Sequence, residues 1–124
     1  MRNDTRLIER LQKARGWWQE FLDQNTDTST EELARKLTLA QISFEHNVFN
    51  FDRGDAKDVM ATTCFAVLYD PNDGFDDRKS LAKRMAIAFL SSHCSSEVKS
   101  DARRAIVATH LDIEEEVKPY LRYI

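Results

Sequence analysis

From Val59 to Tyr69 the chain reads VMATTCFAVLY, with no charged residue anywhere in the run. At about 100° per residue its apolar side chains point in every direction around a helix axis. A helix that is apolar all round has to be buried on most sides. The run is far short of the ~18 apolar residues that would let it span a bilayer. It therefore predicts a central helix, from about Ala56 to Tyr69, with the rest of the chain wrapped around it. Asp55 is its expected N-cap. Asp70-Pro71 is its expected end, because the residue before a proline avoids helical geometry.

The flanking segments supply the wrapping. Apolar residues recur at helical spacing nearly throughout, and no segment alternates as a strand would. A first helix is expected from about Asp4 to Asp23, with Leu7, Ile8, Leu11, Trp18, Phe21 and Leu22 on one side and Trp17 at the margin. Asn25–Thr28 reads as a loop. Ser29 and Glu32 have capping-box spacing and open a second helix reaching about Phe51. The Asp52–Asp55 segment, with Gly54, is the expected break. A fourth helix spans about Arg78 to Ser91, with Leu81, Ala82, Met85, Ala88 and Phe89 inward and Ile87 and Leu90 pointing elsewhere. Asp76 and Asp77 lie near its positive end. Ser91–Ser96 reads as a turn. A fifth helix, from about Glu97 to His110, carries Val98, Ala102, Ala105 and Ile106 on one side. Asp112 and Glu115 repeat the capping-box spacing and open a last helix bearing Ile113, Val117, Leu121 and Ile124, which Pro119 should kink or shorten. The expected fold is a single all-α domain over residues 1–124, a compact bundle of five to six helices around the central apolar one.

The second helix has more apolar surface than one core can use. Leu33, Leu37, Ala40, Phe44, Val48 and Phe51 make one stripe, and Leu39, Ile42, His46 and Phe49 make another on the far side. A helix sandwiched inside its own chain would need both. A domain of 124 residues has few fully surrounded positions. The expectation is a protein-facing surface built from Leu39, Ile42, His46 and Phe49, with Trp17 added because tryptophan is enriched in interface hot spots.

Chemical motifs are sparse. His46, His93 and His110 lie on different segments and form no H-x-x-x-H or H-E-x-x-H pair. The acidic loop from Asp70 to Asp77 fails the calcium pattern, since Phe75 and Leu81 fall where an EF-hand needs Gly and Glu. Glycine-rich phosphate loops and a G-x-S-x-G elbow are absent from the sequence. Cys64 and Cys94 are too few for a disulfide framework and predict two free thiols in a reducing cytoplasm. No catalytic, cofactor or metal residue is assigned. Arg78, Lys79, Lys83 and Arg84 form a local basic patch suited to phosphate or an acidic partner. Yet 18 basic against 21 acidic residues give a net charge of -3, which argues against a dedicated nucleic-acid binder. The start, MRNDTRLIER, carries no apolar signal-peptide run, so secretion is not expected, and no membrane span is either.

From Phe65 onward the chain resembles the HD-domain metal-dependent phosphohydrolase superfamily. The matching pieces are Val67-Leu68-Tyr69-Asp70-Pro71, then Asp76-Asp77 with Ser80, then Ile106-Val107-Ala108-Thr109-His110. They cover about a third of the chain. The resemblance implies a helical fold with a metal-binding helix at its centre. Phe65 and Ala66 stand where the family's His-Asp pair would be, His46 is a loose counterpart of an upstream histidine, and the segment that would carry the final aspartate is mostly missing. Without metal ligands, Lewis-acid activation of water is lost. The resemblance thus implies a shortened, metal-free relative.

Three functional expectations follow. The first is a small non-enzymatic cytoplasmic protein that binds another protein, of inhibitor, immunity or adaptor type, with self-association included. The second is a divergent HD-type phosphohydrolase using His46 and His110. The third is nucleotide or nucleic-acid binding through the basic patch.

Overall fold

The computed structural model describes residues 2–48, 53–69 and 75–108, with side chains over 8–48, 56–69 and 79–108. Five helices follow one another there: α1 (Arg2–Asp23), α2 (Thr30–Asn47), α3 (Arg53–Leu68), α4 (Phe75–Ser91) and α5 (Ser96–Ala108). No strand occurs among the described residues. The protein is an all-α bundle, and α3 is its axis: it packs against α1, α2, α4 and α5. Ala56, Met60, Ala61, Thr63, Cys64, Phe65, Val67 and Leu68 are buried. Among the α3 residues whose side chains are described, the exposed ones are Asp58, Thr62 and Ala66, spaced one turn apart. The segments holding the Asp70–Gly74 loop, Phe49, Phe51, His110 and the last helix expected from Asp112 lie outside the described residues.

Several expected boundaries are corrected. α2 ends at Asn47 rather than Phe51, with Val48 as C-cap donating its N–H to the Phe44 carbonyl. α3 starts at Arg53, so Asp55 lies inside the helix and is not its N-cap. α4 starts at Phe75, which puts Asp76 and Asp77 in its first turn. Leu90 turns inward and is buried. Ile8, expected on the inner stripe of α1, is 55% exposed, because burial on that helix follows Ala14, Trp18 and Leu22 at steps of one turn.

The start of α2 is where local chemistry decides. The Ser29 hydroxyl accepts the Glu32 N–H at 3.3 Å. The expected reciprocal bond gives way to an ion pair, since the Glu32 carboxylate lies 2.7 Å from Arg35. The loop before it is organised by buried Asn25. Its amide donates to the Phe21 carbonyl at 2.7 Å, and its oxygen accepts from Thr28 at 3.0 Å and from Lys36 at 2.7 Å. Arg84, from α4, closes the same loop by donating to the carbonyls of Thr28 and Thr26.

Aromatic rings fill the junction of α1, α2 and α4. Trp18 lies 5.8 Å from Phe89 and 5.9 Å from Phe44 between ring centroids, and its indole N–H donates to the Thr63 hydroxyl at 3.1 Å. On the opposite side of α3 stands a buried carboxylate. Asp101, only 1% exposed, accepts from the backbone N–H of Ala61 at 2.8 Å and of Thr62 at 2.9 Å, and from the Thr62 hydroxyl. These amides lie inside α3, where the usual acceptor is the carbonyl one turn back. Asp101 therefore treats the middle of α3 as an N-cap residue treats a helix start. A side chain inserted into the ladder is also a recognised cause of helix bending.

One exposed position can be improved. A Cβ added at Gly16 meets nothing within 4 Å. Glycine in a helix interior costs about 1 kcal/mol against alanine. Gly16→Ala is therefore expected to raise stability by about that amount, and thermal melts should show a gain of a few degrees.

Candidate protein-binding face

The inward stripe of α2 is Leu33, Leu37, Ala40, Phe44 and Val48, all buried. Its opposite side carries Leu39, 72% exposed, and Ile42, 57% exposed. At about 100° per residue, Ile42 stands roughly 160° around the axis from Phe44, so no rotation of α2 buries both. Arg35 and His46, also exposed, extend the row by one turn at each end. The spacing 35, 39, 42, 46 is the four-three-four step of a helix seam. Two large aliphatic side chains thus sit in water one turn apart, inside a polar rim.

Beside Leu39 the surface dips into an open groove of about 650 Å³ between α2 and the turn after α4. Ala34, Thr38 and Leu39 line one wall, and Ser91, Ser92 and His93 the other, with Glu31 and Arg35 at the mouth. The turn is held against α2 by its own polar atoms. Thr38 accepts the His93 backbone N–H at 3.1 Å while donating to the Ala34 carbonyl at 3.0 Å. Gln41 accepts the Ser95 N–H at 3.0 Å and donates to buried Glu45 at 3.1 Å. Ser95 in turn starts α5, its hydroxyl accepting the Val98 N–H at 3.4 Å. The groove walls are therefore rigid elements.

The other residues singled out in the sequence are spread across the molecule. Trp17 is half-buried on the inner side of α2, stacked on Phe21 at 5.7 Å and edge-on to Phe44 at 5.4 Å. It is not joined to the Leu39–Ile42 row. In the basic patch Lys79 is exposed and Lys83 half-buried, while Arg84 is committed to the α1–α2 loop. The side chain of Arg78, and Phe49, lie outside the described residues. Phe65 is enclosed between Tyr69 and Phe89, and Ala66 faces outward. Among the described residues there is no group of three or more His, Cys, Asp or Glu placed to hold a metal ion. Cys64 and Cys94 are free thiols, and burial pushes both up from the ordinary thiol range. Thiolate, the reactive form, is thereby disfavoured at each. Among the described residues no helix is long and apolar enough to cross a membrane.

The chain matches no known family, no curated protein and no solved structure.

Proposed function

We propose that this chain is a small non-enzymatic binding protein, of inhibitor, immunity or adaptor type, that docks a protein partner on the outer face of α2. It works in the cytoplasm, where Cys64 and Cys94 remain thiols. The observation that carries this reading is the pair Leu39 and Ile42, exposed one turn apart beside the groove. Apolar centres inside polar rims are the usual anatomy of a protein interface. Arg35 with Glu32, and His46, supply a rim that discriminates between partners more than it adds affinity.

The test separates docking from folding. Leu39→Asp and Ile42→Asp together should leave stability within about 1 kcal/mol in urea unfolding, as surface changes do. The wild type should bind the apolar dye anilinonaphthalene sulfonate at neutral pH, and the double variant should lose most of that signal. A stability loss above about 2 kcal/mol would mean that the chain itself covers this face, and dye binding that survives both substitutions would place the apolar surface elsewhere.

A further inference from the structure

We infer that the cavity between α3 and α5 binds a small amino-acid zwitterion, with the ligand's carboxylate on Arg103 and its ammonium toward Asp58. The inference goes beyond the docking role of α2 and does not depend on it.

The starting observation is an uncompensated charge. Arg103 is half-buried on α5, and its Nε is enclosed without a hydrogen-bond acceptor. Among the described residues no ion pair or side-chain hydrogen bond reaches Arg103. Its guanidinium stays protonated in a folded protein. Taking part of a cation out of water is costly unless a counter-charge replaces the lost hydration. The protein supplies none, so the place for a compensating anion is the cavity that Arg103 borders.

That cavity encloses about 410 Å³ and is lined by Asp58, Ser96, Glu97, Ser100, Arg103 and Arg104. Its volume falls in the ~300–1,000 Å³ range of small-ligand sites. Ser96, Ser100 and Arg103 stand at successive turns on one face of α5. α5 packs along α3, which contributes Asp58.

Two of the four charges in the lining are already matched. Arg104 lies 3.7 Å from the buried Asp101 carboxylate. Glu97 accepts from the Ser96 hydroxyl at 3.4 Å. Its own backbone amide and the nearby Lys57 ammonium hold its carboxyl below the ordinary range. Asp58 is exposed, and among the described residues its carboxylate has no ion pair or hydrogen bond. Arg103 and Asp58 thus border one space without pairing with each other.

This arrangement selects the ligand's chemistry. A simple anion that meets Arg103 also meets the field of Asp58, and a simple cation meets the reverse. A zwitterion places an opposite charge at each. A carboxylate suits Arg103 because the guanidinium offers parallel N–H donors to both of its oxygens. Ser100, three residues before Arg103, adds a hydroxyl donor on the same helix face. The ligand's ammonium brings three donors for Asp58 and for surrounding water.

NMR titration of the full chain at constant ionic strength tests the site. The probes are glycine and γ-aminobutyrate, with short and long charge separation, and butyrate and butylammonium, which carry one charge each. At least one zwitterion should shift the amides of α5 from Ser96 to Arg104 and those of α3 around Asp58, and should saturate. Butyrate and butylammonium should bind about tenfold more weakly, since each forfeits one charge-assisted contact. Arg103→Gln and Asp58→Asn should each weaken the zwitterion by about tenfold, while Asp58→Asn leaves butyrate unweakened. Far-UV circular dichroism checks that both variants fold. Arg103→Lys, which keeps the charge and loses the parallel donors, replaces Arg103→Gln if that variant does not. Amides that stay in place with both zwitterions at ~50 mM, well above a millimolar dissociation constant, overturn the site. Butyrate that binds as tightly as the zwitterions makes the cavity a plain anion site and overturns the assigned ligand. Zwitterion binding that survives substitution of Arg103 overturns the inference at its source.

Discussion

Asp101→Ala is expected to destabilise the protein by about 3 kcal/mol, the range seen when one partner of a buried charged network is removed. The loss has two parts. The amides of Ala61 and Thr62 and the Thr62 hydroxyl lose an acceptor that lies within 2.9 Å of both nitrogens. The buried Ala61 amide costs about 1–3 kcal/mol if left unmatched, reduced where α3 can relax onto its own carbonyls, and the less buried Thr62 groups cost less because water can reach them. The α3–α5 contact also loses its only buried polar tie among the hydrogen bonds described between these helices. Urea unfolding should show the drop as a lower midpoint at unchanged slope. Asp101→Asn keeps an acceptor oxygen in place and should cost markedly less. The two variants together separate acceptor geometry from charge.

The same residue carries a pH signature of defined sign. Burial pushes the Asp101 carboxyl above its ordinary range, against the pull of the Thr62 hydroxyl, the amides of Thr62 and Ala61, and Arg104 at 3.7 Å. Between the ordinary aspartate value, about 3.9, and the raised folded one, the folded state thus holds a proton that the unfolded state has released. Its contribution is fully present below that value and is lost as pH rises through the folded one. The stability of wild type relative to Asp101→Asn should accordingly fall as pH climbs from about 4. A difference that rises over that interval would show that the donors outweigh burial.

How far these features were legible depends on whether local chemistry or distant packing decides them. The start of α2 was readable because Ser29 and Glu32 interact within one turn. The centrality of α3 was readable because an uncharged run has nowhere else to go. The start of α3 was not. Gly54 and Asp55 look like breakers, yet helix propensity is a weak prior, and the helix runs through both. Asp101 was missed although it carried a signal. It stands three residues after Val98 and four before Ala105, on the buried stripe of α5, where a charge demands a partner. The matching half was Thr62, one of two adjacent hydroxyls inside an otherwise apolar run. Linking them required knowing that α5 lies along α3, and nothing local in either segment states that. Trp17 and Trp18 present a similar problem. They are adjacent, so they diverge by about 100°, but only the packing of Phe21 and Phe44 shows that Trp17 is drawn into the core as well.

The largest single loss is expected at Trp18, where alanine should cost about 3–5 kcal/mol. The ring is fully buried and touches four others, at 4.9 Å from Trp17, 5.3 Å from Phe21, 5.8 Å from Phe89 and 5.9 Å from Phe44. Its removal leaves a cavity that three helices border, and close-packed interiors relax into such voids only in part. Much of the loss is packing, and the hydrogen bond to Thr63 can be weighed separately. Trp18→Phe keeps an aromatic ring and removes the N–H. Thr63→Val removes the acceptor and, with it, the bond from its hydroxyl to the Val59 carbonyl at 2.7 Å. If the indole bond contributes in its own right, the double variant should be more stable than the sum of the single losses implies, by about 0.5–1.5 kcal/mol. Strict additivity would mean that Trp18 acts through volume alone. Unfolding followed by far-UV circular dichroism avoids confusion with the fluorescence of Trp17, which remains in every variant.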